Sequence, residues 1–114
     1  MENNNFIPQS LYNEILRNVP IVCVDLIIFF QGSYLLIRRN SAPAKGQQWF
    51  PGGRIRKNEK SEDAAIRIAK DEVGGECIVR QNLGVYETIF KTGPNSIPTH
   101  TVNICYFLHA KNNK

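Results

Sequence analysis

The sequence predicts an α/β domain in which a mixed β-sheet is sandwiched between helices, and three stretches lead to that reading. Residues 21–30 form a run of β-branched and aromatic side chains of strand length. Residues 64–73 are good helix formers closed by Gly74 and Gly75. Residues 101–108 alternate loosely between apolar and polar, as a further strand does. The 114 residues suit one domain, 1–114, large enough to bury a core.

In chain order, residues 1–9 are polar and read as a loose segment without the basic region or apolar core of a signal peptide. Ser10 is the expected N-cap of a helix over 11–18, with Leu11, Ile15 and Leu16 on one side, Tyr12 on the other flank and Pro20 beyond its end. Residues 21–30 and 33–39, joined by Gln31-Gly32, read as a hairpin buried on both faces. Asp25 interrupts the first of these strands. A buried carboxylate without a partner costs several kcal/mol, so Asp25 must face either a hydrogen-bonding ligand or a basic side chain.

Arg38 and Arg39 close the second strand, and alternation sends them to opposite faces. Residues 40–48 are irregular and fit a substrate loop, after which Trp49 and Phe50 return the chain to the sheet and are expected to pack its core. Pro51, Gly52 and Gly53 then suit a sharp turn whose backbone comes close to a ligand and whose carbonyl reaches a metal.

Ser61 is the expected cap of the next helix, and Glu62 and Asp63 suit the positive end of its dipole. On that helix Ala65, Ile68, Ala69, Glu72 and Val73 share a face, so Glu72 is a carboxylate on the apolar side, while Arg67 has Asp63 and Asp71 one turn away. Residues 77–79 and 83–91 read as two strands, 93–98 as a turn-rich loop and the final KNNK as a polar tail.

A net charge of +4 and a pI near 9.1 fit a polyanionic ligand such as a nucleoside diphosphate. The basic residues are dispersed, with no zinc spacing and no helix-turn-helix pattern, which argues against a dedicated nucleic-acid binder. The run 21–30 is about half the length of a membrane span. Cys23, Cys77 and Cys105 are odd in number, far apart and set among apolar residues, which fits reduced thiols in a cytoplasmic protein.

The glycine turn, Glu59, Arg67, Asp71 and Glu72 together gather oxygen ligands and arginines, a set that suits Mg²⁺ bound to substrate phosphates; read alone, such a helix is most often a solvated charged face. Their order settles which is expected. From Gly53, five residues lead to Glu59, seven more to Arg67, and then come Asp71, Glu72 and Gly74. This resembles the Nudix box, G-x5-E-x7-R-E-U-x-E-E-x-G-U with U apolar. It departs at Ile68, which replaces the first helix glutamate, at Asp71, which replaces the next, and at Gly75, where an apolar residue is usual. The run PIVCVDLIIFFQGSYLLIRRNSAPAKGQQWFPGGRIRKNE is similar to GDP-mannose mannosyl hydrolases, a Nudix branch that keeps the last helix glutamate and cleaves the bond from sugar C1 to oxygen.

The resemblance covers about residues 11–108. It implies a Nudix fold and a hydrolase acting on a GDP-sugar, with the Gly52 carbonyl and Glu72 holding Mg²⁺, or Mn²⁺ in its place. It implies Arg39 and Arg54 beside the departing diphosphate, Asp25 on the nucleoside or sugar, Arg67 at the substrate side of the box and His100 at the border of the site. Tyr12 reads either as a packing tyrosine or, by resemblance, as an aromatic lent to the partner subunit's base. The rival readings are a Nudix pyrophosphohydrolase attacking phosphorus and a nucleotide-sugar-binding module without catalysis. The resembling enzymes continue with a histidine-bearing loop and a helix that covers the sheet, so this chain is expected to lack that C-terminal part. A sheet face left uncovered in this way is apolar, which leads to the expectation of a homodimer.

Overall fold

The computed structural model describes residues 7–38 and 46–111. Helix α1 is Gln9–Asn18, followed by β1 (Ile21–Phe30), β2 (Ser33–Tyr34), β3 (Ile37–Arg38), β4 (Gln48–Trp49) and β5 (Gly52–Arg54). Helix α2 is Ser61–Val73, β6 is Cys77–Phe90 and β7 is Thr99–Ala110, with one 3₁₀ turn, Pro94–Ser96, before β7. β1 lies parallel to β7 along one edge, and its other edge carries β2 at one end and β5 at the other, both antiparallel. β6 runs antiparallel to β7 and is the outer strand. β3 and β4 form a separate two-stranded piece that sets Ile37 opposite Trp49.

Alternation along β1 decides where the core sits. Val24, Leu26 and Ile28 are fully buried on one face against Ala64, Ala65, Ile68 and Ala69 of α2, together with Tyr106 and Leu108 of β7. Three alanines at the contact let α2 approach the sheet closely, and their burial contributes stability in proportion to the apolar area removed from water. Ile21, Cys23 and Asp25 point to the opposite face, which α2 does not cover. The expected burial on both faces therefore holds fully on the α2 side only; on the other face Ile21 is buried against Leu16 and Ile97, while Cys23 and Asp25 are half-buried.

Several boundaries differ from the sequence reading. α1 begins at Gln9, because the Pro8 carbonyl accepts the Tyr12 N–H at 2.9 Å, and no side chain caps it. Ser61 does not cap α2 either; its hydroxyl is spent on the Tyr106 hydroxyl at 2.7 Å. Gly74 does end α2 in the left-handed conformation, at φ 73°. The strand expected over 33–39 is two short pieces, and the two strands expected over 77–91 are one. Register shifts after Val79 and after Asn82 account for the second difference, since each breaks the alternation without ending the strand. Gly52 and Gly53 form a strand and not a sharp turn. The three cysteines are free thiols, as expected.

Candidate active site

A cavity of about 310 Å³ opens on the face of the sheet that α2 leaves uncovered. Asp25 lies within it. Strand pairing sets Asp25 opposite Gly52, and a side chain at Gly52 would strike the Val24 carbonyl oxygen and come within 2.8 Å of Asp25 Oδ1. Glycine is needed at this position because the Val24 carbonyl and the Asp25 carboxylate leave no room for a side chain, a close-approach requirement and not a matter of φ. Asn103, beside Cys23 in the parallel pair, donates from Nδ2 to Asp25 Oδ2 at 3.1 Å, and the Tyr86 hydroxyl donates to the same oxygen. Thr101 in turn donates to Asn103 Oδ1 at 2.7 Å. Burial and this bond to Asp25 raise the Tyr86 hydroxyl well above the ordinary tyrosine range.

Trp49 and Phe50 wall the cavity and are partly exposed, so they do not pack the core as expected. Arg54 also lines it, next to Cys23 in the β1–β5 pair. Burial, followed by the Asp25 charge, pushes the Cys23 thiol up to about 11, so it stays protonated and is no nucleophile at neutral pH. Tyr12 borders this chain's own cavity and packs beside Leu16, Ile21 and Ile97.

The free edge of β5 presents a second set of groups. Leu26 N–H donates to the Pro51 carbonyl at 2.8 Å and Ile55 N–H to the Val22 carbonyl at 3.0 Å. Residues 51, 53 and 55 thus turn their hydrogen-bonding groups towards β1, and Gly52 and Arg54 turn theirs outward. Arg67 of α2 takes the Arg54 carbonyl at 3.2 Å, and Ile68 lies 3.1 Å from where a Gly53 side chain would begin. Helix α2 thus meets β5 at Arg54 and Gly53 through Arg67 and Ile68, and Asp71 and Glu72 lie one turn further along it.

Arg67 does not pair by hydrogen bond with Asp63 or Asp71. It clasps Glu59 through two bonds, Nε to Oε2 at 2.8 Å and Nη2 to Oε1 at 3.0 Å, so Glu59 is committed to Arg67 and is no longer available as a metal ligand. Asp71 acts on Arg67 only as a weaker, longer-range charge. Glu59 Oε1 also accepts the Arg56 N–H at 3.0 Å and so pins the loop before α2. These bonds hold the Glu59 carboxyl below its ordinary range. The sign follows from that direction: the pair's stabilisation is complete above the unfolded glutamate pKa and is lost as pH falls through the lower folded value. Glu59→Gln should therefore flatten the acid limb of stability against pH and cost roughly 1.5–3 kcal/mol at neutral pH, as denaturant melts at several pH values would report.

His100 stands apart from these groups. It does not line the cavity, whereas its neighbours Thr99 and Thr101 do, and its Nε2 pairs with Glu87 at 2.8 Å. Arg39 lies outside the described residues. Glu72 is exposed, as is Asp71, and does not share the buried face of Ala65, Ile68 and Ala69 as expected, because it falls in the last turn of α2 beyond the core; Ile68, 8% exposed, is buried where the Nudix box has its first helix glutamate. Among the described residues no group of three or more acidic, histidine or cysteine side chains converges to hold a metal. A helix carboxylate and an outward backbone carbonyl are oxygen ligands of the type Mg²⁺ takes beside substrate phosphate and water. Asn103 and the Glu59–Arg67 clasp were missed in the sequence. The signal for Asn103 was the same as for Asp25, an amide or acid inside an apolar strand.

The family model described as the NUDIX domain matches residues 19–114. The low-salt glycan biosynthesis protein Agl8 of Haloferax volcanii is 40% identical over 86 residues, 75% of this chain and 55% of that protein. The ADP-ribose pyrophosphatase of Methanocaldococcus jannaschii is 37% identical over 90 residues, 78% of this chain and 50% of that protein. The chain thus spans about half the length of these curated relatives. Among solved structures, the MutT NUDIX hydrolase from Burkholderia pseudomallei superposes with a TM-score of 0.64 at 30% identity, over 82% of this chain and 69% of that one. A NUDIX hydrolase from Nitrosomonas europaea superposes at 0.68 with 19% identity, over 84% and 62%, which shows the likeness of fold.

Proposed function

The chain belongs to the NUDIX domain family, and from that premise we propose that it is a divalent-metal-dependent hydrolase of a nucleoside diphosphate sugar, GDP-mannose first among them, cleaving at sugar C1. One observation carries the choice of bond: the buried Ile68 against Gly53. An apolar side chain at that point neither holds a metal nor activates a water beside phosphorus, so it favours attack at carbon, with the diphosphate as leaving group.

In this proposal the Gly52 carbonyl and Glu72 would hold the metal, and Arg54 would face the diphosphate from the cavity side. Arg39, outside the described residues, keeps the matching part that the resemblance gives it. Bound there, the ion offsets negative charge on the diphosphate. Water forms the new bond to C1, the C1–O bond breaks with its electron pair leaving on the β-phosphate, and the water's proton passes to bulk solvent. His100 is left out because it faces Glu87 away from the cavity. Arg67 acts by fixing Glu59 and the β5 edge and does not touch substrate.

A second reading, hydrolysis at phosphorus, is favoured by the similarity to a protein named ADP-ribose pyrophosphatase. Incubation with GDP-mannose and Mg²⁺ followed by chromatography separates the two. Free mannose and GDP are expected; mannose phosphate and GMP would establish the second reading, and titratable binding without products would leave a binding module.

We also propose a homodimer in a reducing, cytoplasmic compartment, the chain acting as one domain. The aromatic group Phe29, Tyr34, Phe107 and His109, clustered by ring contacts, and the three free thiols support these assignments. A monomer by light scattering at micromolar concentration would count against the first. No helix among the described residues is long and apolar enough to cross a membrane.

A further inference from the structure

A second concavity, of about 450 Å³, lies between α1 and the end of the sheet where β1 begins and β5 ends. Small-molecule sites run from about 300 to 1,000 Å³. The groove meets the active-site cavity at Tyr12, Ile21 and Arg54, which line both, but Asp25, Asn103 and Trp49 take no part in it. Its lining divides by chemistry. Ile15, Ile21, Val22 and Ile55 give an aliphatic floor, on which Val22 is 45% exposed although it sits in an internal strand. Arg54, Arg56 and Lys57 follow one another along one wall. Among the described residues no Asp, Glu, His, Asn, Gln, Ser or Thr lines the groove, so its one neutral polar side chain is Tyr12.

Other cations nearby are spent within the fold, Arg17 on Glu14 and Arg67 on Glu59. The side chains of Arg56 and Lys57 make no hydrogen bond or ion pair among the described residues. Arg56 acts on Glu59 only as its weakest charge, and the Glu59 oxygens already belong to Arg67 and to the Arg56 N–H. Unspent cations beside an aliphatic floor suit an anion with an apolar body. The wall does not suit a peptide strand, because its backbone is in use. Arg67 takes the Arg54 carbonyl, the Val22 carbonyl takes the Ile55 N–H, and Glu59 engages both the N–H and the carbonyl of Arg56. A sugar or a base would find no matching donors or acceptors on the floor. We propose that the groove is a second ligand site, for a soluble single-chain alkyl phosphate, with the head on Arg56 and Lys57 and the chain across Ile15, Val22 and Ile55. Its concave shape fits one chain and not the flat surface of a bilayer.

Calorimetric titration with octyl phosphate, inorganic phosphate and octyl glucoside, the amphiphiles kept below their micellar concentrations, tests the site. Octyl phosphate should bind about tenfold or more tightly than either of the others, and lengthening its chain should tighten binding by up to about fourfold for each added CH₂. The double variant Arg56→Gln, Lys57→Gln should weaken octyl phosphate about tenfold to a hundredfold and leave octyl glucoside within about twofold. Should that variant melt early, Lys57→Gln alone, on an exposed side chain, should still weaken octyl phosphate about threefold or more. Inorganic phosphate binding as tightly as octyl phosphate would reduce the groove to a bare anion site, and octyl glucoside doing so would reduce it to an apolar patch; either overturns the proposal. So would the absence of octyl phosphate binding, an unchanged affinity in a double variant that melts with the wild type, or binding confined to phosphatidic acid vesicles.

Discussion

Glu72→Gln is expected to lower metal-dependent hydrolysis of GDP-mannose by about 10² to 10³ and to leave the melting temperature within about 2 °C of the wild type. The asymmetry follows from its position. Glu72 is exposed near the end of α2 and touches none of the core that Ala64, Ala65 and Ala69 form. Its removal therefore costs little folding energy, while an amide in its place no longer supplies the anionic oxygen that a hard cation needs. Steady-state rates across an Mg²⁺ titration, beside thermal melts, check both halves. Equal activity in the variant would remove Glu72 from the site, and a large fall in melting temperature would recast it as a structural group.

Ile68→Glu should have the opposite signature. Its side chain is buried against Gly53 and the α2 core, so an ionised carboxylate there is desolvated without a protein partner. In chelator the variant is expected to lose on the order of 3 kcal/mol. Adding Mn²⁺ should return much of that loss, because a cation bound to the folded state stabilises it by mass action. If the apolar residue selects attack at carbon, the new carboxylate should also raise the share of mannose phosphate among the products. A variant as stable as the wild type in chelator would mean that this side chain turns outward, and the reason given for the choice of bond would fail.

The parts of the fold legible in the sequence were those with a strong local signature. β1 was bounded correctly because ten residues of one character end at a Gln-Gly turn, and the end of α2 because Gly74 can adopt a left-handed backbone. Contacts between distant residues were less legible. Nothing near Trp49 and Phe50 in the chain tells that they wall a cavity, since that depends on where β1 and β7 lie. Likewise Arg67 had acidic neighbours one turn away, yet it reaches Glu59 because the loop before α2 folds back over the helix. The sequence suggests Gly52 for a turn and a close approach to a ligand; the approach the structure shows is to the Val24 carbonyl and the Asp25 carboxylate, visible only once β5 pairs with β1.

The site was legible in its types more than in its geometry. The ordered spacing from Gly53 to Glu72 gave the box, and Asp25 was flagged as a charge inside an apolar strand. Asn103 is the same kind of polar interruption in β7, and it is the weaker signal because an amide in a strand costs less to bury than an acid. The short context around His100 suggests a site residue, but strand alternation at the start of β7 turns it away from Thr99 and Thr101.

Hydrolysis of GDP-mannose in water enriched in heavy oxygen tests most directly which bond the site breaks. Mass spectra of the products should show the label in mannose and none in GDP. Label in a phosphoryl group, with mannose unlabelled, would contradict attack at the sugar carbon and the part assigned to Ile68.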